Sequence, residues 1–198
     1  PKFVEVPTDN GGLIPEELDK ILETTPNCKF IYVIPDFQNP TGRTWSMERR
    51  QKFMEVVNKH NLPVLEDNPY GELRYEGTIL PSLKSMDTKG LVMFLGTFSK
   101  IFCPGLRLGW IAAEHSLLSE FVKIKQSADL HTSNFDQGVA DAYMEQYDLD
   151  EHVKEIVALY KHRRDLILES MEKYFPAGTE WTHPEGGLFL WLTFPEGV

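Results

Sequence analysis

Gly96-Thr97-Phe98-Ser99-Lys100-Ile101-Phe102-Cys103-Pro104-Gly105-Leu106-Arg107-Leu108-Gly109-Trp110 sets an amine, two hydroxyls and a guanidinium close together in an otherwise apolar stretch. Among such neighbours Lys100 is expected to lose solvation. That lowers the pKa of its amine and leaves it nucleophilic toward carbonyl carbon, as in Schiff-base formation. Thr97, Ser99 and Arg107 supply two hydroxyls and a forked cation, a donor set that suits a phosphate group.

Two apolar runs must position these groups. Leu91 to Leu95 and Leu108 to Ala113 both read as short buried strands, so Lys100 and Arg107 are delivered between core elements. Upstream, Phe3 to Val6 fits the tail of a strand, and Pro15 to Leu22 has proline and acids where a helix starts. Phe30 to Pro35 is a continuous apolar strand of the kind that a parallel sheet covered on both faces requires. Ser46 caps a helix through Asn58, and Pro63 to Asp67 is the next strand. Strands alternating with helices predict an open α/β sheet whose site lies at the carboxyl ends of its strands. Helical patterns follow at 116–128, 136–146 and 151–175. In the last of these Val153, Ile156, Val157, Tyr160, Ile167, Met171, Tyr174 and Phe175 share one side, with Lys161, Arg163, Arg164 and Glu172 toward water. Residues 180–183 and 187–192 read as strands of a second, smaller unit around Pro184-Glu185-Gly186.

Two more stretches fall at strand ends. In Pro35-Asp36-Phe37-Gln38-Asn39-Pro40-Thr41-Gly42-Arg43, the proline pushes Asn39 to extended backbone and Gly42 can close the turn, so the Asn39 amide is presented outward. Glu66-Asp67-Asn68-Pro69-Tyr70 offers a carboxylate and, three residues on, a phenol.

Taken in order, Asn39 with Pro40-Thr41-Gly42, Asp67 with Tyr70, and Lys100 with Arg107 resemble the signatures of class I/II aminotransferases. These are fold type I enzymes dependent on pyridoxal 5'-phosphate (PLP), and the likeness is to the branch of 2-aminoadipate, kynurenine and aromatic aminotransferases. It extends to Gln137 and the Pro184-Glu185-Gly186-Gly187 turn, departing at Thr97, where serine is commoner, and at Asn68, where an acid is common. The resemblance implies that Lys100 holds PLP as a Schiff base and shuttles a proton between Cα and C4'. It puts Asp67 at the ring nitrogen, Asn39 and Tyr70 at the phenolic O3', and Thr97, Ser99 and Arg107 at the phosphate. The substrates would be an amino acid and a 2-oxo acid, 2-oxoglutarate being expected. It further implies an α/β chain with part of a mainly parallel-sheet large domain (1–150), a connecting helix (151–175) and the start of a small α+β domain (176–198). A glycine-containing phosphate loop, a ring-stacking aromatic and early strands are expected before Pro1, and a carboxylate-binding arginine after Val198. Family members are homodimers with sites at the subunit interface, so residues 1–198 alone are expected to turn over weakly or not at all.

Composition limits the partners. The chain has 198 residues with Lys+Arg 20 against Asp+Glu 30, a net charge of -10 without a basic block, which disfavours nucleic acid. No run of about 18 apolar residues suggests a membrane span, and no basic-then-apolar leader opens the sequence, so a cytoplasmic location is expected. Cys28 and Cys103 fit neither a metal-binding spacing nor a disulfide framework, and are expected to be free thiols; no metal is expected.

Three other readings stay open. An aminotransferase-like domain could bind PLP as the sensor of a transcription regulator, although the Asn39-Pro40-Thr41-Gly42 turn is intact and Asp67-Asn68-Pro69-Tyr70 has the enzyme-like form. A PLP lyase or decarboxylase on the same fold would share the lysine, because reaction choice depends on which Cα bond aligns with the ring. A nucleotide-binding α/β domain would need a glycine-rich phosphate loop, which the sequence lacks.

Overall fold

A tight hairpin of β1 (Thr8–Asp9) and β2 (Gly12–Leu13) opens the computed structural model, which describes residues 2–197. Helix α1 (Pro15–Thr24) follows with Pro15 in its first turn beside Glu16 and Glu17, where a missing N–H is harmless and acids meet the positive helix end. After β3 (Ile31–Val33) comes α2 (Met47–His60), whose first turn is capped by Ser46 accepting the Arg49 amide at 3.2 Å; Asn61 closes it in the left-handed region. The strands β4 (Val64–Asp67), β5 (Val92–Thr97) and β6 (Gly109–Ala112) complete a four-stranded sheet of order β3-β4-β5-β6. Its first two pairings are parallel and the third antiparallel.

Helices α3 (His115–Asp129), α4 (Asn134–Gln146) and α5 (Leu149–Tyr174) come next. The last is started by Asp148, whose carboxylate accepts the Asp150 and Glu151 amides. A small antiparallel pair, β7 (Glu180–Trp181) and β8 (Leu192–Thr193), ends the described chain.

The core lies on one face of the sheet. Ile31, Val64 and Val92 are in register there, and Leu18, Trp45, Phe53, Met54 and Val57 cover them from the α1 and α2 side. Each such side chain contributes about 1.5–3 kcal/mol when fully buried. Among the described residues the opposite face is open: Tyr32 is 53% exposed although its neighbours Ile31 and Val33 are buried.

Other expectations also change. Phe3 to Val6 form no strand, because no neighbouring strand among the described residues offers them a ladder; Phe3 to Glu5 lie exposed while Val6 packs partly buried against the core. Among the described residues the strand β6 is at the edge of the sheet, with Trp110 half-exposed. The run 187–192 is mostly not a strand: Gly187 sits at φ 74° in a turn, and only Leu192–Thr193 pairs. On α5, Ile167 and Tyr174 face outward, while the Arg164 side chain is only 9% exposed instead of reaching water. Both cysteines are free.

Candidate active site

The parallel register places Tyr32 beside Leu65, and period two then puts Asp67 on the same open face. The Tyr32 hydroxyl donates to Asp67 Oδ2 at 2.6 Å. Burial, the hydrogen bond and the Asp67 charge together raise the Tyr32 pKa far above that of a free phenol, so it stays a donor throughout the working pH range.

The turn after β3 is built by its own side chains. Gly42 N–H donates to Gln38 O at 2.7 Å, Gln38 N–H to Arg43 O at 2.9 Å, and Thr41 Oγ1 to Gln38 Oε1 at 2.5 Å. The Asn39–Pro40 peptide is cis, and the Asn39 side chain is left exposed. It lies close enough to Tyr70, which is 6% exposed, to influence that phenol. Burial raises the Tyr70 pKa, the nearby Asn39 side chain pulls it back, and the Asp67 charge adds to the rise. Four side chains, Tyr32, Asp67, Tyr70 and Asn39, thus gather at the carboxyl ends of β3 and β4.

The β5–β6 loop stands next to them. Asp67 pairs with Leu95, so Thr97, two residues further on, shares the Asp67 face. The Thr97 hydroxyl donates to Leu108 O at 3.1 Å and accepts the Ser99 amide at 3.1 Å, so it is committed to shaping the loop. The Ser99 hydroxyl makes no hydrogen bond among the described residues. Lys100 is half-buried in the turn that follows, and no carboxylate of the described residues pairs with it. Arg107, held at φ 56°, is exposed and donates to Pro104 O at 3.0 Å, making no contact with the Asp67 group in this form.

A second segment braces the site. Gly187 N–H donates to Leu73 O at 2.8 Å, and the Tyr75 and Glu76 amides both donate to Glu185 O. The Tyr75 hydroxyl bonds to Gly187 O, and Arg164 donates to Pro184 O at 2.7 Å while pairing with Glu76. These contacts seat the Phe189 ring edge-on against Tyr70, with centroids 5.4 Å apart. Gly42 must be glycine for the same approach: a Cβ there would stand 2.4 Å from Phe189 O.

Behind the turn lies a buried polar layer. Arg50 donates to Asp36 Oδ1 at 2.6 Å, to Pro81 O and to Trp45 O, while Glu66 accepts the Leu83 and Lys84 amides, both at 2.8 Å. Spacing in sequence gives no hint of the Asp36–Arg50 pair. Tyr32 had one usable signal, as the single hydroxyl in the aliphatic run Phe30 to Ile34.

A cleft of about 610 Å³ lies elsewhere, lined by Arg43, Trp45, Trp181, His183 and Trp191 among others. It contains no lysine and none of the side chains above. Among the described residues no group of three or more His, Cys, Asp or Glu could hold a metal ion, and no helix is long and apolar enough to cross a membrane.

A family model for aminotransferase class I and II matches residues 2–197. The chain is 44% identical to aromatic-amino-acid aminotransferase 1 of Thermococcus litoralis, over 100% of this chain and 48% of the relative. It is also 35% identical to an uncharacterized HTH-type transcriptional regulator of Bacillus subtilis, over 86% of this chain and 35% of that protein. Its fold is similar to that of a Pyrococcus horikoshii kynurenine aminotransferase solved in complex with PMP, at TM-score 0.94 and 40% identity, covering 100% of this chain and 50% of the other. The chain spans about half the length of the aminotransferase relatives it matches.

Proposed function

The chain belongs to aminotransferase class I and II, and from that premise we propose that the full-length protein carrying it is a PLP-dependent transaminase, moving an amino group from an amino acid to a 2-oxo acid such as 2-oxoglutarate. The observation that carries this reading is the convergence of Asp67, Tyr70 and Asn39 at two adjacent strand ends, next to the loop that bears Lys100.

The donor set suits the cofactor. Lys100 and Arg107 have no carboxylate partner among the described residues, and neither has Asp67 a cation. A ligand with a phosphate and an aldehyde at one side and a protonated ring nitrogen at the other would satisfy all three. When bound, PLP supplies an electron sink that makes the substrate Cα–H acidic. Lys100 Nζ would be the amine that holds the cofactor through its aldehyde carbon, and the same amine would serve as the base and acid for the proton at the substrate Cα. Asp67 faces the ring nitrogen with its negative charge. Asn39 and Tyr70 hold O3' in common. Ser99 and Arg107 hold the phosphate, and Thr97 joins them if its proton turns away from Leu108 O.

Residues 1–150 are assigned to the large PLP-binding domain, 151–175 to the connecting helix and 176–198 to the start of the small domain. A homodimer in the cytoplasm, with no nucleic acid or membrane partner, belongs to the same proposal.

The test is an absorbance spectrum of the full-length protein, with borohydride reduction and peptide mass mapping. The reduced cofactor is expected on Lys100. A Lys100→Ala protein that retains the same reducible band overturns the assignment. An amino-donor screen with 2-oxoglutarate then separates transamination, read as glutamate, from a lyase, read as pyruvate or ammonia.

A second reading is a PLP-binding sensor domain of a transcription regulator, favoured by the likeness to the Bacillus subtilis protein. The intact turn at Asn39 supports the enzyme instead. A winged-helix segment encoded upstream, together with absent glutamate formation, would favour the regulator.

A further inference from the structure

Asp67 uses its two oxygens unequally. Oδ2 accepts from Tyr32 at 2.6 Å, and no other side chain of the described residues bonds to the carboxylate. The reach is specific: Tyr32 pairs with Leu65, and a phenol covers the roughly 6.6 Å step of two strand residues that a serine or threonine would not. Among the described residues Tyr32 is 53% exposed, while Ile31 and Val33, on the other face, supply the core.

We propose that Tyr32 is a positioning residue for the transamination chemistry, fixing the Asp67 carboxylate so that its unpartnered oxygen meets the cofactor's ring nitrogen. This rests on the reading that Asp67 faces that nitrogen. A lone carboxylate rotates freely about its terminal torsion. The bond to Tyr32 stops that rotation and presents Oδ1. It also draws electron density from the carboxylate, so that a proton shared between Asp67 and the ring stays on the ring.

The experiment is a double-mutant cycle in the full-length protein with Tyr32→Phe, Asp67→Asn and the pair. It reads PLP affinity of the apo form, the pH dependence of the bound cofactor's visible absorbance, and kcat against KM. Loss of one hydrogen bond to a charged group predicts that Tyr32→Phe weakens PLP binding and lowers kcat by about tenfold each, with KM for the amino donor changing less than about twofold. The absorbance transition should shift in pH as well. In the Asp67→Asn background, the same substitution should change each quantity by less than about twofold, since the partner is gone. Equal effects in both backgrounds would mean a packing role and overturn the proposal, as would a Tyr32→Phe protein identical to the parent while Asp67→Asn is impaired. If Asp67→Asn itself leaves PLP affinity, spectrum and turnover unchanged, the ring-nitrogen reading fails and Tyr32 falls with it.

Discussion

Phe189 meets Tyr70 edge to face at 5.4 Å, so the segment between β7 and β8 touches a phenol of the proposed site directly. Tyr70 is nearly buried with Asn39 close to its hydroxyl, which makes Phe189 part of the wall that positions that ring. Phe189→Ala removes the edge contact and opens space over Tyr70. Phe189 is half-buried, so the stability loss should be about 1–3 kcal/mol, below the range for a fully buried phenylalanine. Phe189→Leu should recover most of it. Thermal unfolding reads the loss, and a PLP titration should show weaker binding for the alanine variant than for the leucine one. Equal PLP affinity in both would remove Phe189 from the wall.

The Asp36–Arg50 pair is buried to 8% and 0% side-chain exposure, directly before the Asn39 turn. Removing Asp36 strands the Arg50 charge, and removing Arg50 leaves Asp36 with only Arg74 Nη2, 3.9 Å away; breaking a buried pair in this way costs up to about 3–5 kcal/mol. Arg50→Met should therefore destabilise strongly. Arg50→Met combined with Asp36→Leu should be less harmful than the sum of the two, because neither member of the pair is then left facing an empty partner, although Arg74 loses its 3.9 Å contact with Asp36. Denaturant unfolding of the three variants checks this. A double variant as unstable as the sum would mean that Arg50 matters only through its bonds to Trp45 O and Pro81 O.

The order of strands and helices was legible because apolar runs, a serine cap and acid-led helix starts are local signals. So were Asn39, Asp67 and Lys100, each at the end of a strand or in the loop after one. The fold type I architecture followed from them, and the likeness to solved aminotransferases bears it out. Tyr32, Asp36, Arg50 and Arg164 were not legible in their roles. Each works through a partner 14 or more positions away, and only the parallel register and the packing of α2 and α5 bring those partners near. Arg164 reads as a solvated helix face, yet it is the residue that turns inward. Thr97 was legible as a hydroxyl near Lys100, but not as the one that shapes the loop.

Two buried carboxylates should give stability opposite dependences on pH. Burial raises the Glu66 pKa, and the Leu83 and Lys84 amides offset only part of that. Its contribution is therefore present below the ordinary glutamate value and lost as pH rises through the higher folded one. Burial also pushes Asp87 up, but the Val92 amide, Lys84, and the Leu91 and Lys89 amides outweigh it, so its folded pKa is lowered. Its contribution is present above the ordinary aspartate value and lost as pH falls through the lower one. Glu66→Gln should accordingly be most damaging relative to the parent at mildly acidic pH, its cost shrinking toward neutrality. Asp87→Asn should be most damaging near neutrality, its cost shrinking in acid. Urea unfolding at several pH values measures both, and parallel pH profiles for the two variants would contradict the assignment.

Arg164 ties helix α5 to two other segments at once. It donates to Pro184 O, pairs with Glu76 and Asp165, and lies 5.5 Å from the centre of the Tyr75 ring. Arg164→Met keeps the apolar stem but removes every one of these polar contacts. The backbone bonds from Tyr75 and Glu76 to Glu185, and from Gly187 to Leu73, should then open more often. Loss of several charge-assisted bonds should raise amide exchange at 75, 76 and 187 by about tenfold to a hundredfold, while the β4–β5 amides keep their protection. Arg163→Met, one position away and exposed, is the control and should leave all of them unchanged. Hydrogen exchange followed by mass spectrometry resolves these peptides. If exchange at 187 stays at the parent rate in Arg164→Met, the hairpin is held by its backbone contacts alone, and Phe189 would then keep its place on Tyr70 without help from the helix.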